Sequence, residues 1–255
     1  MIQLLSLYYY IRCRRLHNKM KMERMYTLAL FTIGDLHLSF STDKAMDIFQ
    51  GWENYVENLE QNWKNKIADD DTVVLVGDTS WAMGLEQSLA DFQFIHSLPG
   101  RKVVIKGNHD YWWATLGKMQ AFLNANGLSS IEILHNNCAQ AGDKIICGTR
   151  GWMVENGGEF DEKLVRREAA RLEASLAASK GLEGERIAFL HYPPVYGGHS
   201  LSEIITVLHQ YGVRRCYYGH IHGSGARYAI TGDYRGIDFH LIAADFINFN
   251  PVLVP

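Results

Sequence analysis

The sequence contains little cysteine, little proline and no large excess of charge of either sign. Among its 255 residues are four cysteines and five prolines, and the formal net charge is −3. The cysteines stand far apart without a C-x-x-C pair, which argues against both a disulfide framework and a thiolate zinc site. The small net charge gives no bulk basic field, so charge-driven binding of nucleic acid is not expected. Together these features favour a soluble protein of the reducing cytoplasm.

The N-terminal residues lack the pattern of a secretory signal or a membrane span. The apolar run MIQLLSLYYYI is too short to cross a bilayer, and its basic residues follow the run instead of preceding it. Met20, Met22 and Met25 precede the first convincing strand. We therefore expect residues 1–25 to be an N-terminal extension, upstream of an alternative translation start, and residues 26–255 to form a single domain. An ordinary N-terminal arm and an amphipathic membrane anchor are the alternatives.

Six apolar runs that end in polar residues predict the strands of a layered α/β fold. They are residues 27–35, 72–78, 101–110, 144–152, 186–194 and 214–222. Near-continuous apolar runs are typical of strands buried on both faces. Helical patterns lie between the runs, at residues 43–66, 85–96, 114–126, 161–180 and 201–211. After Ala226, the runs RYAI and GIDFHLIAAD predict antiparallel strands, so we expect a β-rich C-terminal part.

Residues able to bind a metal ion stand at the ends of five of these strands. They are Asp35, His37, Asp78, Asn108, His109, Asp110, His191, His220 and His222. Ligands gather at the carboxyl ends of strands in α/β folds, so we expect these side chains to converge. Imidazole, carboxylate and amide ligands together suit Mn²⁺, Fe or Zn²⁺ better than Mg²⁺ or Ca²⁺. We choose Asp78 as the carboxylate that bridges two ions, which such centres hold roughly 3.5–4 Å apart.

The order of these short motifs resembles that of the calcineurin-like metallophosphoesterases. That family carries D-x-H, G-D-x-x-[DN], G-N-H-[DE], a lone His and G-H-x-H in this order. The matching segments here are residues 35–37, 77–78, 107–110, 191 and 219–222. Each motif alone is weak, but five in order form a specific signal that extends over about residues 27 to 245.

The resemblance implies a four-layer α/β/β/α sandwich with a centre for two divalent metal ions, Mn²⁺ first and Fe or Zn²⁺ as alternatives. Its implied first ion has the ligands Asp35, His37, Asp78 and His222. Its implied second ion has the ligands Asp78, Asn108, His191 and His220. His109 is implied to be catalytic, lying over the site to stabilise the substrate or protonate the leaving oxygen, with Asp110 orienting its imidazole.

The function expected from this resemblance is a metal-dependent phosphoesterase. A metal-bridging hydroxide would attack a phosphate mono- or diester, and the substrate would be a small phosphoester or a nucleotide, with nucleic acid left open. The alternative is a non-catalytic scaffold or binding module of the same fold. One departure is the segment GDTSW, with Trp81 or Ser80 near the place where the family often has Asp or Asn. Because G-D-x-V-D-R-G and G-N-H-E are both absent, the protein Ser/Thr phosphatase branch is not expected.

Arg150 and three aromatic residues have two interpretations each. Arg150 ends an apolar strand and needs a partner, which is either a substrate phosphate that its planar guanidinium would bind or a structural salt bridge. We assign Arg150 as a candidate substrate-binding residue. Tyr111, Trp112 and Trp113 either contact substrate or pack beneath the following helix.

Overall fold

The computed structural model describes residues 28–154 and 158–255, so the predicted extension at residues 1–25 lies outside the described residues. The strands are β1 (Leu30–Ile33), β2 (Thr72–Val76), β3 (Arg101–Ile105), β4 (Ile131–Ile133), β5 (Cys138–Ala141), β6 (Lys144–Thr149), β7 (Glu185–Leu190), β8 (Val195–Tyr196), β9 (His199–Ser200), β10 (Arg215–Tyr218), β11 (Gly232–Tyr234), β12 (Ile237–Leu241) and β13 (Val252–Val254). The α-helices are α1 (Tyr55–Lys66), α2 (Leu89–Ser97), α3 (Leu116–Ala125), α4 (Glu162–Ala177) and α5 (Ser202–Gln210). A 3₁₀-helix follows β10, at Gly223–Tyr228.

Two large mixed sheets form the centre of the fold. The first has the strand order β13-β1-β2-β3-β4, and the second has the order β11-β12-β10-β7-β6-β5. Strands β1 to β4 are parallel, as are β6, β7, β10 and β12, whereas β5, β11 and β13 run antiparallel at the edges. In each sheet, therefore, the parallel strands end at a common edge.

Apolar side chains on both faces of the strands build the layers. On β2, Val73 and Leu75 belong to the core that the first sheet shares with α1, α2 and α3, while Val74 and Val76 belong to the core between the two sheets. The second sheet has a third core with α4 and α5. Burial of both strand faces explains the continuous apolar runs, and the arrangement is the predicted α/β/β/α sandwich.

Some predicted elements are shorter than the patterns suggested. Residues 43–46 have no regular structure and residues 47–54 form mostly turns, so the predicted start of a helix is absent. Gly51 and Asn54 have φ angles of 88° and 52°, which do not fit helix geometry. The predicted strand RYAI is also wrong, since most of it lies in the 3₁₀-helix or just after it. The following run does form β12, which pairs antiparallel with β11 but parallel with β10. Among the described residues, no helix has the length and apolar character needed to cross a membrane.

Gly148 on β6 lies where the backbone of β7 and a side chain of the other sheet come very close. A Cβ at this position would overlap the backbone carbonyl of Phe189 and would lie 2.9 Å from Ile105 Cδ1 of the other sheet. We expect Gly148→Ala to lower the free energy of unfolding by about 1–3 kcal/mol, measured by urea denaturation, because the sheets would have to shift. The control is Gly117→Ala in α3, where the added carbon meets nothing within 4 Å. A Gly148→Ala protein as stable as the control would contradict the observed packing.

Candidate metal centre

The loops that follow β1, β2, β3, β7 and β10 bring the predicted metal ligands together at one end of the sandwich. Two groups can each offer three ligand atoms within 4.8 Å of one another. The first group is Asp35, His37 and His222. The second group is Asp78, His191 and His220. The strands come from both sheets, so the site forms only when the two sheets pack face to face.

Asp78 lies between the two groups. Its Oδ2 is 3.8 Å from His37 Nε2 in the first group and 3.5 Å from His191 Nε2 in the second. Asn108 adds an amide oxygen to the second group, since its Oδ1 lies 2.5 Å from His191 Nε2 and 3.0 Å from His220 Nδ1. The position of Asp78 is the one that a carboxylate bridging two metal ions would occupy.

The backbone at the site adopts conformations that most residues avoid. Asp35, His37, Asp78 and His220 have φ angles of 59°, 47°, 49° and 71°. A positive φ is uncommon for residues other than glycine, and such strain clusters at functional sites. Four strained residues within one predicted ligand set support a functional role for the set.

Two glycines make room for ligand side chains. A Cβ at Gly107 would overlap the carboxylate of Asp78, and a Cβ at Gly219 would overlap the carboxylate of Asp35. In the structure they allow a neighbouring loop to place its carboxylate directly against the backbone.

Burial sets the protonation states of the site. It lowers the pKa values of His37, His191 and His220 to about 3, so these imidazoles are neutral and can act as metal ligands. It also raises the pKa of Asp78 well above the usual value, and the nearby carboxylates Asp110 and Asp35 raise it further. A cation at this position would offset the buried negative charge.

The donor set fits divalent metal ions. Among the described residues, Nδ1 of His37 is a buried nitrogen without a hydrogen-bond partner, and an ion could satisfy such an atom. The neutral imidazoles of His37, His191 and His220, with the nearby carboxylates and one amide, form the mixed nitrogen and oxygen set that suits Mn²⁺, Fe and Zn²⁺.

Asp245 is a residue of the site that the sequence reasoning missed. Its Oδ1 lies 2.8 Å from His222 Nδ1, and its Oδ2 accepts a hydrogen bond of 3.0 Å from the amide of Gly223. Burial by itself lowers the pKa of His222, but the hydrogen bonds to Asp245 and Asp35 outweigh burial and raise it to about 10. The missed signal was the position of Asp245 at the end of the apolar run GIDFHLIAAD, which repeats the pattern of the other ligands.

Asp110 has a task that the sequence did not predict. Its buried carboxylate accepts hydrogen bonds from the amides of Gly107, Asp78 and Thr79, at 2.6, 3.0 and 2.9 Å, with a longer one of 3.4 Å from Ser80 N. The indole of Trp112 donates a further bond of 2.9 Å. The predicted task was to orient the imidazole of His109, yet these bonds join the loop after β2 to the loop after β3. Nδ1 of the His109 ring lies 3.3 Å from Tyr111 Oη, and orientation of this ring by Asp110 stays a prediction.

Aromatic side chains line the cavity of about 450 Å³ beside the ligands. Trp81 stacks on His37 at 4.8 Å between ring centroids, and its centroid is 4.6 Å from that of His109. Trp52 lines the same cavity, which the sequence reasoning did not identify. Trp112 is buried in the core, as the packing interpretation predicted.

Arg150 does not line this cavity. Its guanidinium lies 3.9 Å from the buried carboxylate of Glu168, so the salt bridge that the sequence left open is present. Substrate binding by Arg150 stays a prediction.

Comparisons with known proteins agree with this geometry. The family model described as calcineurin-like phosphoesterase matches residues 30–224. The solved structure of phosphopantetheinyl hydrolase from Mycobacterium tuberculosis is similar, with a TM-score of 0.54, 13% identity and coverage of 89% of this chain and 96% of that one. TT1561 of Thermus thermophilus gives a TM-score of 0.51 at 15% identity, covering 77% of this chain and 83% of its own. GAP50, the anchor in the inner membrane complex of Plasmodium, gives 0.51 at 12% identity, covering 86% and 72%. At these identities the likeness shows the fold alone, and none of the curated proteins compared matches the chain.

The position of Asp78 predicts that its charge controls metal binding. We expect Asp78→Asn to lose both ions together, because it removes the charge while retaining an oxygen that can accept the 2.7 Å hydrogen bond from His109 N. Metal content after purification and calorimetric titration with Mn²⁺ would measure the loss, and circular dichroism would check that the protein is folded. Retention of both ions would show that Asp78 is not the bridging residue.

Asp245 is expected to position His222 without binding a metal itself. Removing such a partner of a ligand typically weakens metal affinity about 10–100-fold, which sets the scale for Asp245→Asn. The matched control is Asp238→Asn, because Asp238 pairs with His240 at 3.0 Å outside the site. Equal metal affinities for the two variants in calorimetric titrations would contradict this role of Asp245.

Proposed function

The chain belongs to the calcineurin-like phosphoesterase family, and on that premise we propose that it hydrolyses phosphate mono- or diesters with two divalent metal ions. The observation that carries the proposal is the pair of adjacent ligand groups with Asp78 between them. Asp35, His37, Asp78 and His222 would hold one ion. Asp78, Asn108, His191 and His220 would hold the other.

Such ions, when bound, activate water for attack on phosphorus and offset charge on the phosphoryl oxygens. The protein supplies a fixed set of ligands, because strained backbone and buried hydrogen bonds hold the loops that carry them. The protein also provides a cavity lined by Trp52 and Trp81, and these two apolar rings would limit access of bulk water to the reacting group.

His109 is the proposed proton donor to the leaving group. Its amide donates a hydrogen bond to Asp78 Oδ1, which fixes its backbone beside the proposed bridging residue. Its ring lies against Trp81 and lines the cavity, while Nδ1 is within hydrogen-bond distance of Tyr111 Oη. With Nδ1 directed to Tyr111, Nε2 is the atom from which we propose that the leaving oxygen takes its proton. In this proposal Asp110 contributes by holding the loop of His109.

The substrate, metals and compartment are part of the same proposal. We propose a small phosphoester or nucleotide substrate, with nucleic acid as a further class to test, and Mn²⁺ before Fe or Zn²⁺ as the metal. The net charge of −3 and the absence of C-x-x-C pairs support a cytoplasmic protein. A non-catalytic scaffold is the second candidate, because GAP50 shares the fold and is an anchor. The complete ligand set favours the enzyme.

A metal-supplemented activity screen distinguishes the two candidates. The protein would be offered p-nitrophenyl mono- and diesters, nucleotides, cyclic nucleotides, sugar phosphates and single-stranded nucleic acid, with Mn²⁺, Fe²⁺ or Zn²⁺. Metal-dependent release of product, lost in Asp78→Asn, is the result expected of an enzyme. A folded protein that binds no metal and hydrolyses none of these would support the scaffold.

The role of His109 predicts a dependence on the leaving group. A poor leaving group such as an alkoxide needs a proton in the transition state, whereas p-nitrophenolate does not. We therefore expect His109→Gln to slow the hydrolysis of alkyl phosphate esters by about 10²–10⁴-fold and that of p-nitrophenyl esters much less. Steady-state kinetics on matched ester pairs would measure the two effects.

Two other outcomes would overturn this role. An equal fall for both ester types, with metal content unchanged, would make His109 an electrostatic stabiliser of the phosphoryl group. Loss of metal from His109→Gln would make it a ligand. Tyr111→Phe serves as a further variant, because it removes only the hydroxyl beside Nδ1 and is expected to slow alkyl esters selectively in the same way but to a smaller extent.

A further inference from the structure

A second cluster of polar side chains lies in a small cleft that the proposed mechanism does not use. We call it the basic cleft, and it is lined in part by Lys106, His135, Asn136, Thr149, Arg150 and Arg171. None of these residues lines the cavity beside the metal ligands. The cleft is small, so it could hold a compact anion but not a nucleoside or a sugar.

The basic cleft lies at the same edge of the sandwich as the metal centre. Lys106 directly follows β3 and Arg150 directly follows β6, so both stand at carboxyl ends of strands, as the metal ligands do. The carbonyl of Arg150 accepts a 2.8 Å hydrogen bond from the amide of Tyr192, whose ring centroid is 4.3 Å from that of His220. Tyr192 therefore contacts both the backbone of Arg150 and the ring of His220, which joins the end of β6 to the metal centre.

The charges around the basic cleft do not balance. Glu168 is a buried carboxylate that pairs with two arginines of the cleft, Arg150 and Arg171, each at 3.9 Å, and with Arg167 outside its lining at 3.3 Å. The hydroxyl of Thr149 donates a further hydrogen bond of 3.0 Å to Glu168. Lys106 adds a fourth positive charge, and both Asp110 and Glu168 act on it, so two carboxylates face four cations.

The cations of the basic cleft also act on His135, which lines the cleft. Burial is the largest cause that lowers the pKa of His135, and the charges of Arg171 and Lys106 lower it further. Salt bridges to Glu168 also join α4 to the end of β6, so a purely structural role is the alternative. That role explains why the arginines lie near Glu168 but not why the cations outnumber it beside a cleft.

We propose that the basic cleft binds a second phosphate group of the substrate, while the first phosphate is hydrolysed at the metal centre. Planar guanidinium groups bind phosphate through paired hydrogen bonds, and the side chains of Arg150 and Arg171, which line the cleft, are 23% and 38% exposed. The inference rests on the proposed function, and it narrows the substrate to a phosphoester that carries another anionic group.

Simple bisphosphates provide the test. Alkanediol bisphosphates with two to six carbons would be compared with alkyl monophosphates of the same length as competitive inhibitors of p-nitrophenyl phosphate hydrolysis. Isothermal titration calorimetry would measure the same affinities directly. We expect at least one bisphosphate to bind about tenfold more tightly than its monophosphate, as one added charge-assisted contact would give. Carboxyalkyl phosphates of the same length would show whether a carboxylate can replace the second phosphate.

Variants identify where the second phosphate binds. Arg171→Gln and Arg150→Lys are expected to remove most of the preference for the bisphosphate, whereas Arg166→Gln keeps it. Arg166 is the matched control because it lies on the same helix and pairs with Glu162 at 2.5 Å, away from the cleft. The ratio of the two affinities is the readout, since a general loss of stability lowers both.

Each outcome decides the inference. Bisphosphates that bind no more tightly than monophosphates, or a preference unchanged in Arg171→Gln and Arg150→Lys with only a lower melting temperature, would make the cluster a structural network. Failure of the proposed function looks different, because no p-nitrophenyl ester would then be hydrolysed with any metal. Calorimetry would still show whether the basic cleft binds the second phosphate.

Discussion

The buried carboxylate of Asp110 holds together the part of the structure on which the candidate centre depends. It accepts hydrogen bonds from the backbone amides of Asp78, Thr79 and Gly107. Asp78 is the proposed bridging ligand, and Gly107 directly precedes Asn108, the proposed amide ligand. Burial raises the pKa of Asp110 to about 6, although the hydrogen bonds from Gly107, Thr79 and Trp112 act in the opposite direction. These hydrogen bonds partly offset the energetic cost of burying the carboxylate, and they also fix two loops at once.

Much of the fold and most of the candidate site could be predicted because they depend on local patterns. The apolar runs that became β2, β3 and β7 are buried on both faces, and each was followed by a residue of the site. The carboxyl ends of parallel strands share an edge, so Asp78 and Asn108 were expected to be close. The family resemblance supplied the residue assignments, and the structure brings all of the predicted ligands to the same end of the sandwich.

What could not be predicted depends on contacts between distant parts of the chain. Strand β13 is three residues long and gains its place by pairing with β1, more than two hundred positions earlier. In the sequence, residues 43–54 have an apolar spacing typical of a helix, which comes from Met46 and Trp52. In the structure these two side chains pack in the core although the segment is not helical. The hydrogen bonds of Asp110 to the loop after β2 could not be predicted for a similar reason, since the sequence shows its neighbour His109 but not the amides of that loop.

The departure at Trp81 shows how this chain adapts the family pattern. An Asp or Asn at this position would add a polar group beside the site, whereas Trp81 places an apolar ring against His37 and His109. Its indole nitrogen donates a hydrogen bond to Met46 Sδ at 3.3 Å. Met46 and Trp52, both in the segment 43–54, line one side of the cavity. Burying His37 beneath the Trp81 ring lowers its pKa to about 3, which keeps the imidazole neutral. Because His37 is neutral near pH 7, no proton competes with a metal ion for its nitrogens.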